Sequence, residues 1–368
     1  MTKKALLIGC NYPGSNAELK GCVNDVMTMK EILTTVKGFS ESDITILIDT
    51  DSKFTSPTGA NIRKALDSMI PMVSSGDVLF VHFSGHGTQI TSMDEKDWKN
   101  EALCPTDMNL IPDDDLKEWT SKLPQGLHLT VVTDCCHSGG MLDHTEITIS
   151  GDKSGNPIAS SPDFNNRSLP ASDVAAMLSK MLGQNVESNA LRAALGKAFG
   201  SDASPYAAGI MKAVESMVPQ EHQATVRGLL RFLPCFSGMT GGSKPTATAS
   251  TTAPANMASS SQAGMGGNGG VMGMLGNIMK PPAPPKVGDD VGILITGCQS
   301  NETSADVREG STAYGALTNA IKTCLAQDPS LSHRQLVTNV RAHLRQGGFS
   351  QNPCLECSEA NADTPFIC

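Results

Sequence analysis

The sequence predicts an α/β protein with a mainly parallel central sheet and helices on both of its faces. Short runs rich in Leu, Ile, Val and Phe alternate with segments in which apolar residues recur at helical spacing. Strands that alternate with helices are typical of parallel sheets, because each parallel connection must return to the end where the strands begin. The alternation stops near residue 145 and resumes near residue 287, so a long segment interrupts the predicted sheet.

Region 1–145 provides most of the predicted strands. Strands are expected at residues 5–9, 44–48, 78–83 and 128–133. A helix is expected at 22–36, where Val26, Met29 and Leu33 fall on one face, and a second helix at 61–72. This part of the chain is therefore predicted to be the large catalytic region.

Region 146–286 differs in composition and is interpreted as a regulatory insertion. It opens with a polar stretch, and apolar residues then recur at helical spacing behind Ser172, a favourable N-cap residue. Helices are expected at 172–182, 188–199 and 205–217. Residues 237–285 are dominated by Gly, Ala, Ser, Thr, Met and Pro, a composition typical of a flexible linker.

Region 287–368 is predicted to complete the sheet as a small C-terminal part. A strand is expected at 292–297, followed by helices at 311–325 and 332–344. The last residues, 365–368, are apolar and are expected to be buried against the domain.

The charge balance and the hydropathy pattern exclude several classes of partner. The chain of 368 residues carries a formal net charge of −9, which disfavours nucleic acid and anionic membranes and suits cationic ligands. No apolar segment is long enough to span a membrane, and the first apolar run is too short for a signal peptide. We therefore expect a cytoplasmic protein whose eleven cysteines are mostly reduced and buried.

Two of the predicted strands lead directly to a histidine and a cysteine. The strand at 78–83 is followed by Ser84-Gly85-His86-Gly87, and the strand ending at residue 133 is followed by Asp134-Cys135-Cys136-His137. Reactive groups of open α/β sheets collect at the carboxyl ends of strands. A thiol and an imidazole at this edge are the functional groups of a thiol hydrolase.

His86 and Cys136 are the preferred pair among the nearby histidines and cysteines. His137 is adjacent to Cys136 in sequence, so its side chain should point away from the thiol, and His82 lies inside a strand and is expected in the core. Cys136 occupies the turn, whereas Cys135 is expected to pack beneath it, with a vicinal oxidisable pair as the alternative.

The glycines that flank these residues suggest how an oxyanion would be bound. Gly87 permits a tight turn and leaves its backbone N–H free, so the N–H groups of Gly87 and Cys136 are the expected oxyanion donors. A helix beginning after Ser138-Gly139 would lower the pKa of the Cys136 thiol.

Several sequence blocks resemble the signatures of metacaspases, which are caspase-like cysteine peptidases of plants, algae, fungi and protists. The blocks are Ser84-Gly85-His86-Gly87-Thr88, Asp134-Cys135-Cys136-His137-Ser138-Gly139, Asn11-Tyr12-Pro13, Gly21-Cys22-Val23-Asn24-Asp25, Gly297-Cys298-Gln299, Thr303-Ser304-Ala305-Asp306, Ala313-Tyr314-Gly315-Ala316 and Ala362 to Cys368. The N-terminal and C-terminal blocks resemble type II members of plants and green algae. The resemblance covers roughly 1–145 and 286–368.

The resemblance implies a caspase-like three-layer sandwich, interrupted by a long helical and disordered linker, with a His86–Cys136 dyad. It also implies an endopeptidase that cuts protein substrates after Arg or Lys, with Asp25 and Asp134 at the floor of the S1 pocket. A pair of carboxylates binds a guanidinium or ammonium group well. Without the resemblance, Asp25 would be interpreted as a helix-surface acid and Asp134 as a structural turn residue.

Calcium is the cofactor that the resemblance implies, as an activator. Asp113, Asp114 and Asp143 fall where this family places calcium-binding carboxylates, and Asn100 stands where an aspartate is common. An amide oxygen can ligate calcium but adds no charge, which predicts a lower affinity or a weaker requirement for the ion. The alternative is that Asp113 to Asp115 form a solvated helix start.

The middle region contains the expected self-cleavage site. Asn166-Arg167-Ser168-Leu169-Pro170 resembles the segment in which type II members cut themselves, and Arg167 is predicted to lie in the groove of a monomeric zymogen. Arg192, Lys197 and Arg227 are secondary candidates because they fall in predicted helices.

Two other functional classes remain open. A catalytically silent caspase-fold scaffold would bind partners through the Gly-Met tract of the linker. A nucleotide-binding α/β domain is disfavoured, since no glycine-rich phosphate loop follows the first strand. The resemblance implies roles in stress response and programmed cell death, between which these residues do not choose.

Overall fold

The computed structural model describes residues 1–91, 99–136, 147–149, 164–205, 292–299 and 302–367. Within these residues, a seven-stranded sheet carries helices on both faces, which confirms the predicted α/β class. The predicted helix at 205–217 and the linker at 237–285 lie outside the described residues, apart from residue 205. No helix in the described ranges is both long and apolar enough to cross a membrane.

The strands and helices have the following bounds. The strands are β1 (Lys3–Gly9), β2 (Ile44–Ile48), β3 (Val78–Ser84), β4 (His86–Thr91), β5 (Lys99–Cys104), β6 (Ile111–Pro112), β7 (His128–Asp134), β8 (Ile147–Ile149), β9 (Phe164–Asn166), β10 (Ile293–Thr296), β11 (Ala305–Glu309), β12 (Thr312–Gly315) and β13 (Cys354–Glu356). The helices are α1 (Cys22–Thr35), α2 (Gly59–Met69), α3 (Asp113–Thr120), α4 (Ala171–Leu182), α5 (Leu191–Phe199), α6 (Ala316–Gln327), α7 (His333–Gln346) and α8 (Glu359–Ala362).

The large sheet has the strand order β2-β1-β3-β7-β10-β13-β8. The first five strands are parallel, and β13 and β8 add to the edge in antiparallel orientation. Along β3 and β7 the register places Ser84 opposite Asp134, so both strands end at the same level. As a result, the residues that follow them, including His86 and Cys136, lie at one edge of the sheet.

Alternation along the strands divides the core into two layers. On β1, Leu6 and Ile8 face one apolar cluster, whereas Ala5 and Leu7 face the other. Helices α2 to α5 contribute to the first cluster, and α1, α6 and α7 contribute to the second. The chain is therefore a three-layer sandwich, with the functional edge of the sheet between the two helical layers.

Two small sheets, β4-β5-β6 and β12-β11-β9, accompany the large one within the described part of the chain. The helix predicted from residue 311 is wrong at its start, because Thr312–Gly315 pairs with β11 as a strand and the helix begins only at Ala316. The predicted Ser172 cap is also wrong: α4 begins at Ala171, after Pro170, and no side chain caps it.

The C-terminal residues pack into the core, as expected. Phe366 and Ile367 are buried, and the Phe366 ring meets Phe80 edge to face with centroids 6.4 Å apart. The cysteines of the described residues are all buried, in agreement with their expected role as small core residues.

His333, at the start of α7, is expected to make stability depend on pH. Its Nδ1 donates to the Thr364 carbonyl over 2.9 Å, and burial lowers its pKa from 6.5 to about 4. The unfolded chain therefore takes up this proton at a higher pH than the folded protein does. The contribution of His333 to the free energy of unfolding is fully present above about pH 6.5. It falls by up to about 3 kcal/mol as the pH drops towards 4.

Chemical denaturation at about pH 7.5 and about pH 4.5 measures this effect. The variant His333→Gln should show a smaller loss of stability between the two pH values than the wild type. His128 is exposed at the start of β7, so the matched variant His128→Gln controls for the replacement of a histidine by glutamine. Equal losses in wild type and His333→Gln would contradict the assignment.

Candidate active site

Cys136 and the residues around His86 meet at the carboxyl edge of the sheet. Cys136 follows β7 directly, and His86 begins β4 after the turn at Gly85. A Cβ atom built at Gly87 would overlap the Cys136 carbonyl oxygen, so the two chain segments touch here and position 87 accepts only glycine. The side chains of His86 and Cys136 are both buried.

The Cys136 thiol lies among three polar groups. It donates to Asn166 Oδ1 over 3.2 Å, and the Ser304 carbonyl lies 3.8 Å away as a second acceptor. The Ser304 backbone N–H donates to Sγ over 2.9 Å. A hydrogen bond donated to sulfur stabilises a thiolate more than a thiol.

His86 is held in one orientation and one tautomer. Its Nε2 donates to the Ala17 carbonyl over 2.8 Å, which leaves Nδ1 as the basic nitrogen. Nδ1 is buried and makes no hydrogen bond within the described ranges. Burial lowers the pKa of His86, against the opposing effect of the Ala17 and Arg167 carbonyls, so the ring is neutral and can accept a proton.

Tyr12 holds the backbone at His86. Its hydroxyl accepts the His86 N–H over 2.8 Å and donates to the Cys104 carbonyl over 2.5 Å. The Tyr12 and His86 rings stack at a centroid distance of 4.9 Å. No function was predicted for Tyr12 or Ala17 from the sequence, although Tyr12 belongs to the block Asn11-Tyr12-Pro13 that resembles the family.

Arg167 lies in a fully buried pocket beside this edge. Its Nη2 contacts Asp25 at 2.8 Å and Asp306 at 3.0 Å, and its Nη1 lies 3.2 Å from the carboxylate of Asp134. Ser84 Oγ accepts from Nη1 and donates to Asp25. Three carboxylates thus surround one guanidinium at 0% exposure.

The carboxylates of the pocket are oriented by donors from other elements. The Gly315 N–H donates to Asp25, the Thr318 N–H and hydroxyl donate to Asp134, and the Gly21 N–H donates to Asp306. A Cβ at Gly315 would overlap Asp134 and the Arg167 guanidinium, which explains why glycine stands there.

Burial raises the pKa of Asp25 to about 6, and Arg167 opposes that shift. A carboxylate in this pocket is therefore most stable with a cation beside it. Asp25 lies on α1 and is buried, so its interpretation as a helix-surface acid is wrong. The contact between Asp25 and the Arg167 guanidinium is what the family resemblance implies for an S1 residue.

Asp306 and Ser84 are pocket residues that the sequence analysis missed. Asp306 lies in the block Thr303-Ser304-Ala305-Asp306, which had been noted for its resemblance but not for its charge. An acid in a block shared with a peptidase family was the available signal. Ser84 also lies in a shared block, Ser84-Gly85-His86-Gly87-Thr88, but it carries no charge that would indicate contact with a cation.

The backbone around Arg167 is bound as an extended strand. β9 pairs antiparallel with β11, and the Arg167 N–H donates to the Ser304 carbonyl over 3.0 Å. The Gly87 N–H donates to the Arg167 carbonyl over 3.0 Å, and the Leu169 N–H donates to the Gly87 carbonyl over 2.9 Å. The Arg167 carbonyl is therefore held by the N–H group of Gly87, a residue that touches the Cys136 backbone.

Known proteins resemble this chain along its whole length. Residues 3–145 match the family model of the metacaspase peptidase C14 domain. The chain is 36% identical to "Metacaspase-4" and 37% identical to "Metacaspase-6", both of Arabidopsis thaliana, over 100% of this chain and 100% of each relative. This chain belongs to the metacaspase family.

Membership confirms the resemblance and makes the protein a cysteine peptidase. Among solved structures, protein GSU0716 from Geobacter sulfurreducens has a similar fold, with a TM-score of 0.53 over 100% of this chain and 98% of that one. Its sequence identity is 18%, so that likeness concerns the fold alone. The expected caspase-like α/β architecture is confirmed.

The candidate calcium residues of this metacaspase lie partly together. Asn100 on β5 donates its amide to Asp114 over 2.6 Å, and its Oδ1 is buried without a hydrogen-bond partner in the described residues. Asp113, at the start of α3, pairs with Lys117 at 2.8 Å. Asp113 is buried, which contradicts a fully solvated helix start. Asp143 lies outside the described residues.

No group of three or more His, Cys, Asp or Glu side chains in the described part of the metacaspase is arranged to hold a metal ion. The remaining candidates can be placed individually. His82 and Cys135 are buried in the core, as expected. Arg192 and Lys197 lie on α5, whereas His137, Ser138-Gly139 and Arg227 lie outside the described ranges.

Proposed function

We propose that this metacaspase is a calcium-activated endopeptidase that cuts after arginine or lysine. It is made as a zymogen, and its own Arg167–Ser168 bond is the first bond cut. One observation carries the proposal: the Arg167 guanidinium lies among three carboxylates while its carbonyl accepts the N–H of Gly87, a residue that touches the Cys136 backbone. The segment is bound as a substrate would be.

Asp25, Asp134 and Asp306 give the S1 pocket its preference for a cation. Arginine fits best because its planar fork matches several carboxylate oxygens at once. A lysine ammonium is also attracted to this charge, but it offers one point of contact. An acidic P1 side chain would be repelled by all three carboxylates.

The reaction is acyl transfer through a thioester. His86 Nδ1 takes the proton from Cys136, and the thiolate attacks the carbonyl carbon after Arg167. The N–H groups of Gly87 and Cys136 stabilise the oxyanion. When the intermediate collapses, the C–N bond breaks and the His86 imidazolium gives its proton to the leaving amine of Ser168. Water then attacks the thioester and releases Cys136 as a thiol.

The Ala17 carbonyl and Tyr12 position His86 for this sequence of proton transfers. The bond from Nε2 to Ala17 fixes the tautomer in which Nδ1 is basic. The hydrogen bonds of the Tyr12 hydroxyl hold the backbone from which the ring projects.

Calcium is the proposed activator, and two of its proposed ligands lie together. Asn100 Oδ1 is a buried oxygen without a partner in the described ranges, and the Asn100 amide contacts the Asp114 carboxylate, while Asp113 and Asp143 complete the proposed ligand set. Bound calcium supplies positive charge that draws such oxygens together. Lys117 already neutralises part of the charge on Asp113, which supports a weaker calcium requirement.

Peptide hydrolysis tests the proposed function. Wild type and Cys136→Ala are compared, with and without calcium, on fluorogenic peptides that end in Arg, Lys or Asp. Turnover of Arg and Lys peptides by the wild type with calcium, and none by Cys136→Ala, is the expected result. Absence of turnover by the wild type in every condition would favour the catalytically silent scaffold. Calcium-independent turnover would refute the activator role alone.

We also propose that the protein is a cytoplasmic monomer. Gel filtration tests whether its size in solution is that of one chain.

A further inference from the structure

Asn166, the residue before Arg167, contacts both groups that must react. Its Oδ1 accepts the Cys136 thiol hydrogen over 3.2 Å and the Ser168 N–H over 2.8 Å. Ser168 N–H belongs to the peptide bond that the peptidase would cut. One side-chain oxygen therefore binds the nucleophile and the leaving group together.

The chemistry of the two partners determines what this contact does. The Ser168 backbone nitrogen is only a donor, so the oxygen of the carboxamide must face it. The same oxygen then accepts the thiol hydrogen, which points towards Asn166. His86 Nδ1, the base that needs this hydrogen, has no hydrogen bond within the described ranges.

The other requirements for cleavage are already met in the same structure. The guanidinium fills its pocket, the Gly87 N–H binds the Arg167 carbonyl, and the Ser304 carbonyl accepts the Arg167 N–H. What is missing is the thiol-to-imidazole proton transfer. We propose that Asn166 is an inhibitory P2 residue, whose side chain accepts the Cys136 thiol hydrogen in place of His86 and slows cleavage after Arg167.

This inference rests on the proposed function and deepens it in two respects. Self-cleavage of the zymogen is slowed by the side chain that precedes its own cleavage site. The same contact also sets specificity, because a substrate with asparagine at P2 would place its carboxamide against the thiol. Substrates with alanine at P2 cannot do so.

The inhibition by the Asn166 side chain is weak enough to be relieved. Asn166 is exposed to solvent at the end of β9, so water can replace both of its hydrogen bonds when the side chain rotates. Each neutral hydrogen bond contributes little net stability when water competes. We therefore expect an effect of about tenfold on rate and not an absolute block.

Self-cleavage of the full-length chain at a fixed calcium concentration tests the inference. Asn166→Ala should release the fragments about tenfold faster than the wild type. Asn166→Asp keeps the size but brings a charged acceptor that holds the thiol proton more strongly, and it should be slower than the wild type. Asn165→Ala is the matched control, since Asn165 is an exposed neighbour on the same strand, and its rate should equal the wild-type rate.

A second readout does not depend on self-cleavage. The wild-type peptidase is given two short peptides that end in Asn-Arg or Ala-Arg before a fluorophore, and the Ala-Arg peptide should show the higher kcat/KM. Equal self-cleavage rates for wild type, Asn166→Ala and Asn166→Asp would contradict the inhibitory role of Asn166, and so would equal turnover of the two peptides. Either result would leave the proposed function intact. If neither peptide nor the chain itself is cut, the proposed function and this inference fall together.

Discussion

Replacing Arg167 with alanine is expected to abolish self-cleavage between residues 167 and 168. The guanidinium is the group that holds this segment in the groove, through contacts with Asp25, Asp134 and Asp306. Without it, the carbonyl at 167 is no longer fixed against Gly87. Fragment masses recorded over time after calcium addition measure the loss, and new cuts at Arg192 or Lys197 would appear in the same spectra.

The same substitution should destabilise the uncut chain, because it leaves three buried carboxylates without their cation. Breaking a buried ion pair by removing one partner costs about 3–5 kcal/mol. Denaturation in a Cys136→Ala background isolates this effect from proteolysis. Arg167→Lys keeps the charge and is the control, with slower self-cleavage and a smaller loss of stability. Normal processing of Arg167→Ala at this site would refute the built-in substrate.

Replacing Asp306 with asparagine is expected to lower kcat/KM for arginine peptides by about 10²–10³-fold. Asp306 contacts Nη2 of the bound guanidinium in a pocket shielded from water, where losing one charged partner costs about 2–5 kcal/mol. The variant keeps the shape of the side chain, but the Lys20 and Gly21 N–H groups donate to different oxygens of Asp306, so the single amide oxygen replaces only one of these acceptors.

Steady-state kinetics on Arg and Lys peptides measures this change. Asp173→Asn is the matched control, because Asp173 is exposed on α4 and outside the pocket, and its kcat/KM should equal that of the wild type. A change of less than about threefold in Asp306→Asn would mean that the third carboxylate contributes little to substrate binding.

The sequence was sufficient to predict that His86 and Cys136 follow strands that end at one edge of the sheet. Its strongest signals were local: the apolar runs of β3 and β7 and the glycine-flanked residues that follow them. Because parallel strands end together, the strand periodicity alone brings the segments of His86 and Cys136 to one edge.

The pocket could not be predicted in full because its residues come from distant segments. Asp306 reaches the guanidinium only through β11, a short strand whose partners are β9 and β12. Such short antiparallel strands carry little periodicity, and β12 was mistaken for the start of α6. The burial of Asp25 is also a tertiary effect, since a helix pattern shows which face is apolar but not what covers the remainder.

The strand order has a consequence for the fate of the cut chain. β7 and β10 are hydrogen-bonded neighbours from Thr130 opposite Ile293 to Thr133 opposite Thr296, yet they lie on either side of residue 167 in sequence. A cut after residue 167 would leave all the hydrogen bonds between β7 and β10 in place. If the proposed cut is made, the product would consist of two polypeptides that share a single sheet. Each piece supplies what the other lacks, since His86 and Cys136 belong to one polypeptide and Asp306 to the other.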